Sequence, residues 1–143
     1  MSVVILHPIR AYADTSVYGG VFDREFSAAS RTFFAQARAG YFKRVVSAAV
    51  SDELARAPVA VRKFFNAARS GADEVFVSQK ALDLQERYMQ AGIVGVKWQT
   101  DALHVALATV AQCRLIVSWN FKHIVRFDKI GLYNAVNAMH GYG

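Results

Sequence analysis

Ala11-Tyr12-Ala13-Asp14-Thr15-Ser16 is the stretch on which the reading of this chain turns. Ala11–Asp14 predicts a short strand ending on a polar residue, and Thr15 and Ser16 are turn formers. Further along, Ser27–Ala39 is rich in Ala and Phe and predicts a helix stopped by Gly40. Arg44–Ser47 predicts a second strand, and Ser51 the start of a helix through Asp52, Glu53 and Leu54. Pro58 is placed to open another helix, running to about Arg69 and closed by Gly71. Glu74–Val77 reads as a buried third strand, after which Ser78 caps a helix from Gln79 to about Ala91. A loop with Gly92 and Gly95 follows. Thr100 caps the strongest helix, Asp101 to about Gln112, with Leu103, Ala106, Leu107 and Val110 on one face. Leu115–Ser118 predicts a fourth strand and Lys129–His140 a last helix. Strands alternating with helices predict an α/β fold with an open, mostly parallel sheet.

The 143 residues suit one domain spanning 1–143, with a hydrophobic fraction of 54% that supports a substantial core. Seventeen Lys and Arg against 11 Asp and Glu give a net charge of +6. That excess favours a polyanionic partner, because basic side chains displace counterions from phosphates. A single cysteine, Cys113, excludes an internal disulfide framework, and its apolar neighbourhood reads as core. The opening apolar run, interrupted by Pro8 and Arg10, is too short for a signal peptide, and no stretch reaches a membrane span. These features predict a cytoplasmic protein.

In open parallel sheets, sites collect beyond the carboxyl ends of the strands. Asp14 ends the first predicted strand, and Glu53 lies in the first helical turn after the second. Asp101 opens the helix before the fourth strand, and Asn120 follows that strand by two residues. Brought together, these carboxylates would need a cation, and oxygen ligands favour Mg2+ or Mn2+. Zinc is disfavoured, since there is no Cys pair and the four His residues lack ligand spacing. No phosphate-binding glycine motif is present. Each residue also has a structural reading. Asp14 and Ser16 suit a turn or helix cap, Glu53 and Asp101 suit a helix N-terminus, and Asn120 suits a turn. His104, one turn from Asp101, reads either as a packed, satisfied histidine or as a group supporting the acids.

Four segments stand in order along the chain. They are Tyr12-Ala13-Asp14-Thr15-Ser16-Val17, Ser51-Asp52-Glu53-Leu54-Ala55-Arg56-Ala57, Thr100-Asp101-Ala102-Leu103-His104-Val105-Ala106 and Ser118-Trp119-Asn120-Phe121-Lys122-His123-Ile124. In this order they resemble the PIN-domain family, especially the VapC-like toxin ribonucleases of bacterial type II toxin–antitoxin systems. The resemblance implies a flavodoxin-like sheet of four to five parallel strands with helices on both faces. It implies that Asp14, Glu53 and Asp101 hold Mg2+ (or Mn2+), that Asn120 completes the catalytic set, and that Ser16 supports Asp14. It also implies an RNA substrate, a cognate antitoxin and a homodimer. Asn120 stands where many members carry a fourth acid, so a second metal is expected to bind weakly. Asp128 is a poor substitute, being distant from the strand end. Members continue past a Gly-Tyr step into an edge strand, whereas this sequence stops at Gly141-Tyr142-Gly143; a truncated end or a four-stranded sheet would account for it.

Lys43, Arg44, Lys97, Lys122 and Arg126 are the candidates for phosphate contact, with Lys122 first because it lies two residues beyond Asn120. The alternative for each is solvated surface charge. Trp98 and Trp119 read first as core, and second as platforms for unpaired bases. The expected function is therefore a metal-dependent endoribonuclease. A catalytically silent domain that binds RNA or protein competes with it, as does a DNA-directed nuclease on the same scaffold.

Overall fold

A computed structural model describes residues 8–143; the opening apolar run, 1–7, lies outside the described residues. The strands are β1 (Ile9–Ala13), β2 (Phe42–Ser47), β3 (Asp73–Val75) and β4 (Leu115–Val117). The helices are α1 (Thr15–Gly20), α2 (Ser27–Arg38), α3 (Ala48–Leu54), α4 (Val59–Ala68), α5 (Gln79–Gln90), α6 (Gln99–Val110) and α7 (Phe127–Met139). The four strands form one parallel sheet in the order β3-β2-β1-β4. The open parallel α/β sheet expected from the sequence is thus present.

The chain steps from β1 to β2 to β3 in one direction and then crosses back to β4 on the far side of β1. Crossovers of one hand then place α1–α4 on one face and α5–α6 on the other. The packing agrees: α1 touches α2, α3 and α4, whereas α5 packs on α6 and α7. β1 is the central strand, and its Ala11, Tyr12 and Ala13 are buried. A parallel strand covered on both faces is apolar along its length rather than alternating, as here. Val45 and Val46 of β2 join Val17, Tyr18, Phe34 and Phe65 in the larger core. A smaller core gathers Leu84, Tyr88, Val105, Ile124 and Tyr133 between α5, α6 and α7.

Several boundaries differ from the sequence reading, each for a local reason. Thr15 and Ser16 begin α1, because the Asp14 carboxylate accepts the Ser16 N–H as an N-cap. Ser47, not Ser51, caps α3 by accepting the Val50 N–H. α6 begins at Gln99, so Thr100 lies inside it, and ends before Gln112, which takes a left-handed conformation with φ 61°. This helix is buried nearly all round, at Ala102, His104, Val105, Ala106, Leu107 and Ala108, and not along one stripe. The third strand is an edge, shorter than read and offset towards Asp73, and Phe76 beyond it is 85% exposed. Short, acidic edges of this kind resist pairing with other chains. No helix among the described residues is long and apolar enough to cross a membrane.

Gly20, at the end of α1, is enclosed: a Cβ there would meet Ser30 Oγ at 2.6 Å and Trp119 Nε1 at 2.7 Å. Gly20→Ala is therefore expected to destabilise the fold by about 1–3 kcal/mol, measured by urea unfolding, since a well-packed interior accommodates an added methyl poorly.

Candidate functional site

The strand order reverses between β1 and β4, and there the crossovers part to opposite faces, the position at which open parallel sheets place their sites beyond the carboxyl ends. Asp14 stands at this point. Its backbone N–H extends the sheet by donating to Val117 O at 3.1 Å. Its side chain is buried, with Oδ1 accepting from Ser16 Oγ at 2.5 Å and Ser16 N at 3.1 Å, and Oδ2 from Ser118 Oγ at 2.7 Å. Ser118 is the residue that sequence reasoning missed, although its place directly after β4 was the available signal. A further bond, Trp119 N to Ser16 Oγ at 2.9 Å, stitches the β4 exit to the start of α1.

Burial raises the Asp14 pKa above the ordinary carboxylate value; hydrogen bonds from Ser16 and Ser118 and the field of His104 counter it only in part. Among the described residues Asp14 has no ion-pair partner. Glu53, near the end of α3, bonds through Oε1 to His104 Nε2. Partial burial pushes the Glu53 pKa up, but the His104 hydrogen bond and charge outweigh this and leave it lowered. Burial raises the pKa of the Tyr12 hydroxyl, and the fields of Asp14 and Glu53 add to it.

Asp101 is half-buried one turn before His104, and its field falls on His123 and Tyr133. Among the described residues no three His, Cys, Asp or Glu side chains lie close enough together to form a metal-ligand group. The structure joins Glu53 to His104 by a hydrogen bond, while Asp14 is held by Ser16 and Ser118, and among the described residues no ligand shell closes around these acids or around Asp101. The donor chemistry nevertheless fits a hard divalent cation, because Asp14 is a desolvated carboxylate that has no cationic partner among the described residues, and carboxylate oxygens suit such an ion.

Asn120 is engaged in its turn. Its Oδ1 accepts the Lys122 and His123 N–H groups at 3.3 and 3.0 Å, and its own N–H donates to Ser118 Oγ at 2.9 Å. The basic candidates divide. Lys43 and Arg44 sit towards the amino end of β2, opposite the end that bears Ser47, and bond to Gly71 O and Ser70 O. Their expected nearness to the acids is not what the structure shows, because the register turns them to the far end of the sheet. Arg126 pairs with Asp128 at 2.9 Å. Lys97 lies over the Trp98 ring at 5.1 Å. Lys122 is exposed in the turn after β4, and among the described residues it forms no ion pair.

Trp119 is a packing residue, stacked on Phe26 at 4.7 Å with Nε1 donating to Ser30. Trp98 departs from its core reading: it is 38% exposed and stacks on His123 at 4.5 Å. Cys113 is half-buried, its thiol pushed up to about 11 by burial, so it stays protonated and unreactive. A groove of about 720 Å3 lies between α6, β4 and α7, and the acids do not line it. Compared with models of known protein families and with curated proteins, the chain matches none.

Because the folded Asp14 pKa is raised, the unfolded chain releases this proton at lower pH than the folded protein does. Stability therefore falls as pH rises through the interval between the two values. Asp14→Asn is expected to raise the Tm by a few degrees at neutral pH, with the gain shrinking in mild acid. Thermal melts across pH check this, and an unchanged or lowered neutral Tm would refute it.

Proposed function

We propose that the chain is a Mg2+- or Mn2+-dependent endoribonuclease of the PIN-domain type, the toxin of a toxin–antitoxin pair. The observation that carries this reading is Asp14: a carboxylate buried at the switch point, held by two serine hydroxyls and, among the described residues, without a cationic partner. An arrangement that makes a charge costly and then orients it serves chemistry better than stability. The net charge of +6 supports a polyanionic substrate.

Asp14 and Glu53 would hold the ion, with Asp101 approaching along α6. A bound divalent ion supplies Lewis acidity, lowering the pKa of water and neutralising charge on a phosphodiester. The protein's own residues do the positioning. Ser16 and Ser118 fix the Asp14 carboxylate, and the Asn120 turn presents Lys122 at the carboxyl end of β4, where it meets a phosphate. Trp98, exposed three residues before Asp101, offers a face to an unpaired base. A cytoplasmic location, a homodimer and an antitoxin that covers the acids follow from the resemblance and belong to this proposal.

Purified protein with Mn2+ is expected to cut single-stranded RNA, and Asp14→Asn to lose at least about 100-fold in rate while remaining folded. Unchanged cleavage by that variant would sink the assignment. Lys122→Ala is expected to weaken RNA binding several-fold at low salt, and Lys43→Ala to leave it nearly unchanged. Equal losses in a filter-binding assay would contradict the placement of the substrate. The second reading, a silent domain that binds RNA or protein, is favoured by the Asn120 amide being spent on its turn. RNA binding without cleavage, with no Mn2+ uptake in calorimetry, would select it.

A further inference from the structure

We propose that His104 is the positioning residue for Glu53, acting at the middle of a buried hydrogen-bonded chain that begins and ends on α3. The proposal rests on the metal-dependent reading above. The chain starts at the head of α3, where Ser47 Oγ accepts the Val50 N–H at 3.2 Å. The same oxygen lies 2.7 Å from Tyr12 Oη, which lies 2.6 Å from His104 Nδ1. The other ring nitrogen, Nε2, meets Glu53 Oε1, back on α3 and six residues beyond its cap. Three elements, β1, α6 and α3, are thus closed into one polar loop.

Tyr12, Ser47 and His104 are at most 2% exposed, so each polar atom must find its partner within the protein. The ionised Glu53 carboxylate only accepts, which places a hydrogen on Nε2. A neutral imidazole accepts at Nδ1 from Tyr12, which accepts from Ser47; an imidazolium donates at Nδ1 to Tyr12, which donates to Ser47. In either state Nε2 keeps its hydrogen towards Glu53 and the ring is held in one orientation.

Glu53 needs this help. Its side chain is 40% exposed on a helix of seven residues, where it would otherwise sample many rotamers. His104 pins Oε1 and leaves Oε2 for the cation. Hydrogen bonds from outside a metal's own ligands fix a ligating carboxylate in the same way, and their removal typically costs about 10–100-fold in affinity. Such a role reconciles the two sequence readings of His104: it is a packed histidine because it supports the acid.

The test is Mn2+ titration by calorimetry, well below each protein's Tm, on wild type, His104→Leu, His104→Gln and Tyr12→Phe. Glutamine places an amide N–H near the position of Nε2, whereas leucine fills the space without a donor. Tyr12→Phe keeps the ring and its packing, so it serves if the leucine variant fails to fold. Expected are about tenfold weaker binding for His104→Leu, a several-fold loss for Tyr12→Phe, and near wild-type affinity for His104→Gln. A merely structural role would lower the Tm of the variants without moving the Mn2+ affinity of the folded protein. Wild-type affinity in Tyr12→Phe and in folded His104→Leu would overturn the role of His104 and leave the metal-dependent reading standing. Absence of Mn2+ binding by wild type itself would overturn both.

Discussion

Taking one carboxylate out of water is the constraint around which this structure is arranged. Asp14 sits at the end of the inner strand β1, where desolvation opposes its charge, and two serines, a backbone N–H and the field of His104 compensate it in part. Those serines are not independent. Ser118 also accepts from Asn120, and Ser16 from Trp119, so the loop leaving β4 and the helix leaving β1 are tied through the same acid. The apolar cores on the two faces of the sheet supply the stability that offsets this placement.

The second polar loop differs in character. Tyr12, Ser47 and His104 lie inside the fold with their hydrogen-bonding groups matched, so they cost little and specify much. A side chain in the middle of β1 and another in the middle of α6 together fix how α3 is turned about its axis. Rotation of α3 would break the Ser47 cap and the Glu53 contact at once. Satisfied buried networks favour one arrangement over near alternatives because every slipped register leaves a polar group unpaired.

Much of this was legible in the sequence. The alternation of strands and helices follows from local patterning, and Asp14 does follow the first strand, whereas Glu53, expected in the first turn of its helix, lies in the last turn of α3 because Ser47 and not Ser51 caps that helix. Element starts were read less well. Ser51 competes with Ser47 as a cap, and only the tertiary bond to Tyr12 distinguishes them. Phe76 looks like a core residue in Glu-Val-Phe-Val, yet an edge strand of three residues ends before it. The positions of Lys43 and Arg44 depend on strand register, which joins residues 30 or more apart and has no local signature. Ser118 and Tyr12 escaped notice for the same reason: a serine after a strand and a tyrosine within one are ordinary until their distant partners are known.

The two indoles of this chain sit in contrasting surroundings. Trp119 is stacked on Phe26, hydrogen-bonded to Ser30 and adjacent in sequence to the serine that holds Asp14. Trp98 is open to solvent, pressed against an imidazole and three residues before Asp101. A half-buried, stacked indole and a more exposed one emit at different wavelengths, and an imidazole in contact quenches. The protein therefore carries two separable optical reporters: a blue-shifted one that registers the integrity of the β4 exit, and a red-shifted one that registers events at the head of α6.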